Sequence, residues 1–337
     1  MVQIALYAHT HGVGFRDESG NRTLSQPAAS LDPVRVARAA EAAGFHSMWF
    51  PDHVCMPAET TSAHVVNASG RRSYAPRHEM LDALVTMGAV AAATRTIRLA
   101  TSVLIAPYRH PLSDARQFAT VDVLSGGRVI VGVGAGWMRE EFEAIGVPHG
   151  ERGSRTEECI EIYRRAFTDD RVTFTGRHHS FADVSMDPKP AHGTPIVYGG
   201  MSPVGARRAA RLCDGLYPLF LDPSIPPEDK SHLHEIVRGE LEANGRDPAT
   251  FTMLAATGMR VDDASRPVDG TRCSGTADQV IDDVARFAAA GYSTLVCKMD
   301  CPSGTIDELL EQIERVGSEV IPAVAGITAS GGWRQGL

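Results

Sequence analysis

The sequence predicts an α/β fold of the (β/α)8, or TIM-barrel, kind, with one domain spanning residues 1–337. Three observations carry this expectation. Eight short apolar runs of strand character alternate with eight segments of helical periodicity, the order that sets a closed parallel sheet inside a ring of helices. Residues 97–139 compress strand, loop, helix, strand and glycine loop into one βαβ unit. Its strands are parallel and its crossover right-handed, so both strands end on one edge. The residues with chemical capability, Asp52-His53, Ser102, Gly134 to Trp137 and Gly199 to Ser202, all lie at or just after the ends of expected strands, on the face where such barrels carry their functional loops.

Strands are expected near 3–8, 46–51, 97–103, 128–134, 195–200, 215–221, 252–261 and 293–299. In the third, Ile97, Leu99, Thr101 and Val103 alternate, and Pro107 and Pro111 punctuate the loop that follows. Helices are expected near 33–43, 79–93, 111–123, 151–167, 203–213, 228–244, 276–290 and 305–324. Asp32-Pro33, Ser202-Pro203, Ser274 and Thr305 supply their start signals: a side-chain oxygen for orphan amides and, twice, a proline at the first helical position. In the third helix Ala115, Phe118, Ala119 and Val123 recur at helical spacing, and Gly126-Gly127 ends it.

Two insertions interrupt the alternation. Residues 52–78, after the second strand, form a polar stretch with Gly70, Arg71, Arg72 and Pro76, expected as a loop over the mouth. Residues 168–194, before the fifth strand, contain VTFTGRHHSFADV, a hairpin turning at Thr175-Gly176. The Gly- and Ser-rich tail from Ala325 to Leu337 is expected to be frayed or packed on a partner.

Hydrophobic residues at 43% and charged residues at 22% suit a soluble globule, and no apolar run is long enough to span a membrane. The start, MVQIALYAHTHG, enters a strand pattern without the basic and apolar regions of a secretory leader, so a cytoplasmic location is expected. A formal charge of −8 argues against broad nucleic-acid affinity and for a small-molecule substrate. The six cysteines (55, 159, 213, 273, 297 and 301) contain no CxxC pair and read as reduced, small buried residues.

Gly132-Val133-Gly134-Ala135-Gly136-Trp137 does not fit the dinucleotide fingerprint, because Trp137 stands where a third glycine is needed and the preceding strand is the fourth. Its glycines permit either a tight turn or the close approach of a flat ring. Gly199-Gly200-Met201-Ser202-Pro203 opens a helix carrying Arg207 and Arg208. Its amides and dipole suit a phosphate, and a plain Gly-Gly turn is the simpler reading. Asp52-His53 sets an acid and an imidazole at the mouth, where histidine exchanges protons near neutral pH; a histidine at a loop start also commonly does no more than bond locally. His9-Thr10-His11 either lines the mouth and touches substrate or begins a binuclear metal site of the amidohydrolase type. That metal site needs histidines after the fifth and sixth strands, where Gly199-Gly200 and Leu219-Phe220-Leu221 stand, so no metal is expected.

Three stretches resemble the bacterial luciferase-like superfamily of flavin and deazaflavin oxidoreductases, above all its actinobacterial branch that uses coenzyme F420. They are TSVLIAPYRHPLSDARQFATVDVLSGGRVIVGVGAGWMREEFEAIGVPHGERGSRTEE; DPKPAHGTPIVYGGMSP with ARRAARLCDGLYP; and SGTADQVIDDVARFAAAGYSTLV. The resemblance covers roughly residues 2–300. It implies a one-domain barrel with its cofactor in the mouth. Thr101, Ser102 and Val103 would back the ring, with a non-proline cis peptide there. Gly134, Ala135, Gly136 and Trp137 would contact the ring or its polyol, and Gly199, Gly200, Met201 and Ser202 the phosphate. Asp52 and His53 would lie at the hydride-transfer centre, and His9, His11 and Trp137 against the substrate.

The function so implied is hydride transfer between F420 and a small organic substrate. One alternative is an FMN-dependent two-component monooxygenase, fed by a flavin reductase partner, that activates O2 as a peroxyflavin. Another is a non-catalytic flavin-binding barrel. Related F420 dehydrogenases commonly carry glutamate where this chain has Trp137, a departure that bears on the dehydrogenase mechanism. The resemblance, with Ala37, Ala39, Ala40, Ala42 and Ala43 on the first helix, also implies a homodimer.

Overall fold

The computed structural model describes residues 1–10, 14–16, 22–24, 28–57, 61–62, 79–191, 193–220, 225–266 and 273–337. Eight parallel strands close into a barrel: β1 (Gln3–Tyr7), β2 (Ser47–Phe50), β3 (Arg98–Thr101), β4 (Val129–Gly134), β5 (Ile196–Gly199), β6 (Gly215–Tyr217), β7 (Thr252–Val261) and β8 (Thr294–Met299). Each pairs with its sequence neighbours, and β8 closes on β1 with Gln3 opposite Thr294. One covering helix follows each strand: α1 (Pro33–Ala42), α2 (Ala83–Ala93), α3 (Pro111–Ser125), α4 (Arg152–Thr168), α5 (Pro203–Leu212), α6 (Ser231–Ala243), α7 (Ala277–Ala289) and α8 (Ile306–Arg315). The (β/α)8 expectation therefore holds. Parallel strands covered on both faces have no solvent side, which is why β2 and β4 are buried at every residue.

Residues alternate along each strand between two cores. A small inner cluster, including Ala5, Trp49, Ile130, Val197, Tyr217 and Val296, fills the lumen, and a larger one lies between strands and helices. Trp49 is fully buried and donates its indole N–H to Ser47 Oγ at 2.8 Å. Its ring packs against Tyr217 with centres 5.1 Å apart, making a floor below the mouth.

Boundaries that differ from expectation have local causes. α2 begins at Ala83, not near 79, because Asp82 accepts the Val85 amide at 2.9 Å as its cap. α7 is capped by Thr276, in a capping box with Gln279; the expected cap, Ser274, instead lies in a two-residue strand beside β7. Pro218 interrupts the sixth strand, which resumes only over Leu219–Phe220. The last helical span stays α-helical to Arg315 and then widens to a π turn over Val316–Val320, just before Pro322, which has no amide to donate. On α1, Ala37 and Ala40 face the core and are unavailable to a partner.

The hairpin expected at Thr175-Gly176 is present as Val172–Thr175 against Ser180–Val184. A second hairpin after β1, Gly14–Arg16 against Arg22–Leu24, was not expected from the sequence. Of the mouth loop at 52–78, Gly70, Arg71, Arg72 and Pro76 lie outside the described residues. Among the described residues no helix is long and apolar enough to cross a membrane.

The tail departs most from expectation, because it packs on its own barrel. Trp333 is buried against His234 and Phe251, with the Arg238 guanidinium 4.5 Å from its ring. Thr252 Oγ1 donates to Gly336 O at 3.1 Å, Arg98 donates to Leu337 O at 2.8 Å, and the Leu337 side chain meets the inner cluster. The tail thus seals the end of the barrel opposite the mouth. Trp333→Ala is expected to cost about 3 kcal/mol, read as a lower urea midpoint with unchanged slope. An unchanged midpoint would show that the tail adds nothing to the fold.

Candidate active site

β2 delivers Asp52 and His53 to the mouth, and two other loops take hold of them. Arg109, from the loop after β3, donates two parallel bonds to the Asp52 carboxylate at 2.7 and 2.6 Å, and the Ile105 amide adds a third at 3.0 Å. Burial would lower the Arg109 pKa, but its bonds to Asp52 raise it on balance, so the guanidinium stays charged. Both Asp52 oxygens are thereby occupied in tying the second-strand loop to the third-strand loop.

His53 meets Glu141, which stands on the short helix Arg139–Ala144 after β4. Nδ1 lies 2.7 Å from Glu141 Oε2, with the two side chains 8% and 0% exposed. The same carboxylate accepts from Tyr108 OH at 2.8 Å and from the amides of Val54 at 2.7 Å and Cys55 at 3.3 Å. Burial alone would raise the Glu141 pKa; the bonds from His53, Tyr108 and Val54 reverse it and bring it below the ordinary carboxylate range. Burial and the Glu141 charge push the Tyr108 pKa up, so Tyr108 stays a phenol that donates. An ionised carboxylate can only accept, which assigns a proton to His53 Nδ1 and fixes the orientation of the ring.

The glycine-rich strand ends lie on the adjoining sector. The Ser102–Val103 peptide is cis. The Val103 side chain wedges between β4 and β5: a Cβ on Gly134 would come within 2.5 Å of it and one on Gly199 within 2.8 Å. Gly132 is tighter still, since a Cβ there would lie 1.8 Å from Thr101 O. Thr101 is fully buried and exchanges hydrogen bonds with the Gly132 backbone, so its hydroxyl links β3 to β4. Ser102 Oγ is 3.1 Å from Tyr217 OH. Gly136 has φ 77°, a left-handed turn that carries the chain from β4 to Ala135 and Trp137, both half-buried.

At the end of β5, Ser202 caps α5 by accepting the Gly205 amide at 3.0 Å. Lys230 Nζ reaches Met201 Sδ at 3.4 Å and also donates to Leu219 O, lying 4.0 Å from the Phe220 ring centre. Arg208, on the same helix, is buried in the outer core and donates to Tyr198 OH and Glu157, both at 2.9 Å. Arg207 is exposed. After β1, His9 Nε2 donates to Met299 O at 3.2 Å, and His11 lies outside the described residues. The structure thus joins Asp52, His53, Ser102 and Val103 at one mouth. Sequence reading missed Glu141, Tyr108 and Arg109. The signal available was the acidic pair in WMREEFE, which carried no assigned role.

A sequence profile described as luciferase-like monooxygenase matches residues 13–266, most of the chain. The chain belongs to this family. An uncharacterized protein of Mycobacterium tuberculosis is 33% identical over 237 residues, 70% of this chain and 81% of that one. An F420-dependent glucose-6-phosphate dehydrogenase of Amycolatopsis mediterranei is 32% identical over 200 residues, 58% of this chain and 55% of that one. An FMNH2-dependent dimethylsulfone monooxygenase of Pseudomonas fluorescens is 38% identical over 129 residues, 37% of this chain and 35% of that one. Among solved structures, an F420-dependent secondary alcohol dehydrogenase in complex with an F420–acetone adduct superposes with a TM-score of 0.72 at 22% identity, covering 96% of this chain and 99% of that one. At that identity the superposition speaks for the fold alone. This luciferase-like barrel therefore has relatives that use F420 and relatives that use FMN.

Proposed function

We propose that this luciferase-like protein is an oxidoreductase that uses coenzyme F420 for hydride transfer, the reduced form giving a hydride to a small organic substrate or the oxidised form taking one from it. The carrying observation is the buried 2.7 Å bond from His53 to Glu141, which fixes a proton-exchanging imidazole at the mouth beside the glycine-rich strand ends. The residues present fit a flat ring with a phosphate: Val103 lies flush between Gly134 and Gly199, and the start of α5 has the Lys230 cation near Met201. Ser102, Val103, Gly134, Ala135, Gly136 and Trp137 would hold the ring and polyol, and Gly199 to Ser202 the phosphate. When bound, the deazaflavin supplies a hydride-carrying carbon. His53 gives or takes the substrate proton, Glu141 holds and stabilises the imidazole, and Asp52 with Arg109 positions the loop.

A second reading places FMN in the same seat, reduced by a partner reductase, with O2 as co-substrate; the dimethylsulfone monooxygenase relative favours it. Titrating the protein with F420 and with FMN compares the two seats directly. Val204→Glu adds a test of the phosphate position, because Val204 is 60% exposed in the first turn of α5 and a glutamate there favours the helix while repelling phosphate. Cofactor affinity is expected to fall about threefold to tenfold, or roughly 0.7–1.4 kcal/mol, and less at high salt. Unchanged affinity would move the phosphate elsewhere.

A further inference from the structure

We propose that Tyr198 and Arg208 are positioning residues for the cofactor's phosphate, holding the turn 199–202 and the start of α5 in the geometry that receives it. This rests on the oxidoreductase reading for the phosphate itself, and on the following contacts for what shapes its seat. Tyr198 precedes the turn on β5 and, with Ile196, faces the outer core, whereas Val197 faces the lumen. Its ring therefore lies behind the seat, outside the lumen. An added Cβ on Gly200 would come within 2.8 Å of Tyr198 Cε1, and one on Gly205 within 3.1 Å of the same atom. Gly200 lies in the turn and Gly205 in the first turn of α5, where its amide donates to Ser202 Oγ at 3.0 Å. One ring edge thus supports the seat at two points, each of them backbone without a side chain.

Arg208 holds that ring. Its Nη1 donates to Tyr198 OH at 2.9 Å, with the guanidinium carbon 5.5 Å from the ring centre, and its Nε donates to Glu157 on α4 at 2.9 Å. Tyr198 and Arg208 are both buried, so water does not compete for the bond between them. A third glycine gives the guanidinium its room: a Cβ on Gly153, in the first turn of α4, would come within 2.8 Å of Arg208 Nη2. Glycine is a poor helix former, yet Gly153 and Gly205 both stand in first helical turns around this one pair. Arg208 directs Nη1 to Tyr198 and Nε to Glu157, whose carboxylate balances its charge, so it acts on the phosphate through the ring and not as a ligand. Backbone donors serve an anion only when held within about 0.5 Å of the productive geometry, and a fixed ring edge under Gly200 and Gly205 holds them.

The test compares ligands with and without the phosphate, FMN against riboflavin and F420 against its deazaflavin riboside, in the wild type, Arg208→Met, Tyr198→Phe and the double variant. Both single changes cut the same hydrogen bond and keep most of the side-chain bulk, the double change leaves neither partner of that bond orphaned, and Glu157 keeps Arg211 at 3.2 Å. The wild type is expected to prefer the phosphorylated ligand of at least one pair by about tenfold or more. Each single variant is expected to lose about fivefold to tenfold of that preference with its phosphate-free affinity unchanged, and the double variant no more than the worse single one. A role in stability alone would weaken both ligands of a pair alike. A preference that survives either single change, equal losses on both ligands, or losses that add in the double variant overturns the proposal, the last by showing that Arg208 acts independently of Tyr198. If the wild type binds both ligands of each pair equally, the phosphate seat is wrong; if it binds none of the four, the oxidoreductase reading fails, and in either case the proposal falls with it.

Discussion

His53→Ala is expected to lower turnover by about 10² to 10⁴ while leaving cofactor affinity nearly unchanged, the range a positioned general acid or base contributes. That corresponds to about 3–5 kcal/mol of transition-state stabilisation. The expectation follows from the bond that commits Nδ1 to Glu141 and so fixes the orientation of the ring. The measurement is a single-turnover rate across pH, with cofactor affinity titrated on the same variant. If His53→Ala keeps the wild-type rate and pH profile, His53 is a packing or shape residue.

Glu141→Ala should damage both the fold and the chemistry. It leaves His53 Nδ1, Tyr108 OH and the amides of Val54 and Cys55 without their acceptor, three of them bonded at 2.7 or 2.8 Å. Stability is expected to fall by about 3–5 kcal/mol. Glu141→Gln keeps one oxygen for the two amides but offers an N–H toward His53, so it should restore most of the stability and little of the turnover. Acid dependence checks the ionised state. Because the folded-state pKa of Glu141 is depressed, its contribution to stability is present above the unfolded value and lost as pH falls through the folded one. Glu141→Gln should flatten that part of the stability curve. Wild-type turnover in Glu141→Gln would reduce Glu141 to a loop anchor.

What could be read from the sequence was local in the chain. The strand–helix alternation, the hairpin at Thr175-Gly176 and the caps at Asp32, Ser202 and Thr305 each depend on a few adjacent residues, and all appear in the structure. Placing Asp52-His53 at the mouth needed only the knowledge that β2 ends at Phe50. Their partners were not legible, because Glu141 lies 88 residues from His53 and Arg109 lies 57 from Asp52, and only barrel closure brings them together. Helical phase decided the arginines at α5: Arg208, one residue past exposed Arg207, turns inward to Tyr198 and Glu157. Composition misled at the tail, where glycine and serine suggested fraying while Trp333 and Leu337 anchor it to the barrel.

The most direct measurement mixes the protein with reduced F420 and a panel of small carbonyl compounds in the absence of oxygen, and follows reoxidation of the coenzyme in wild type and His53→Ala. Oxygen-independent reoxidation by at least one carbonyl, slowed by about 10² or more in His53→Ala, is the predicted result. No reoxidation with any acceptor, together with an oxygenated product from reduced FMN and O2, would contradict it.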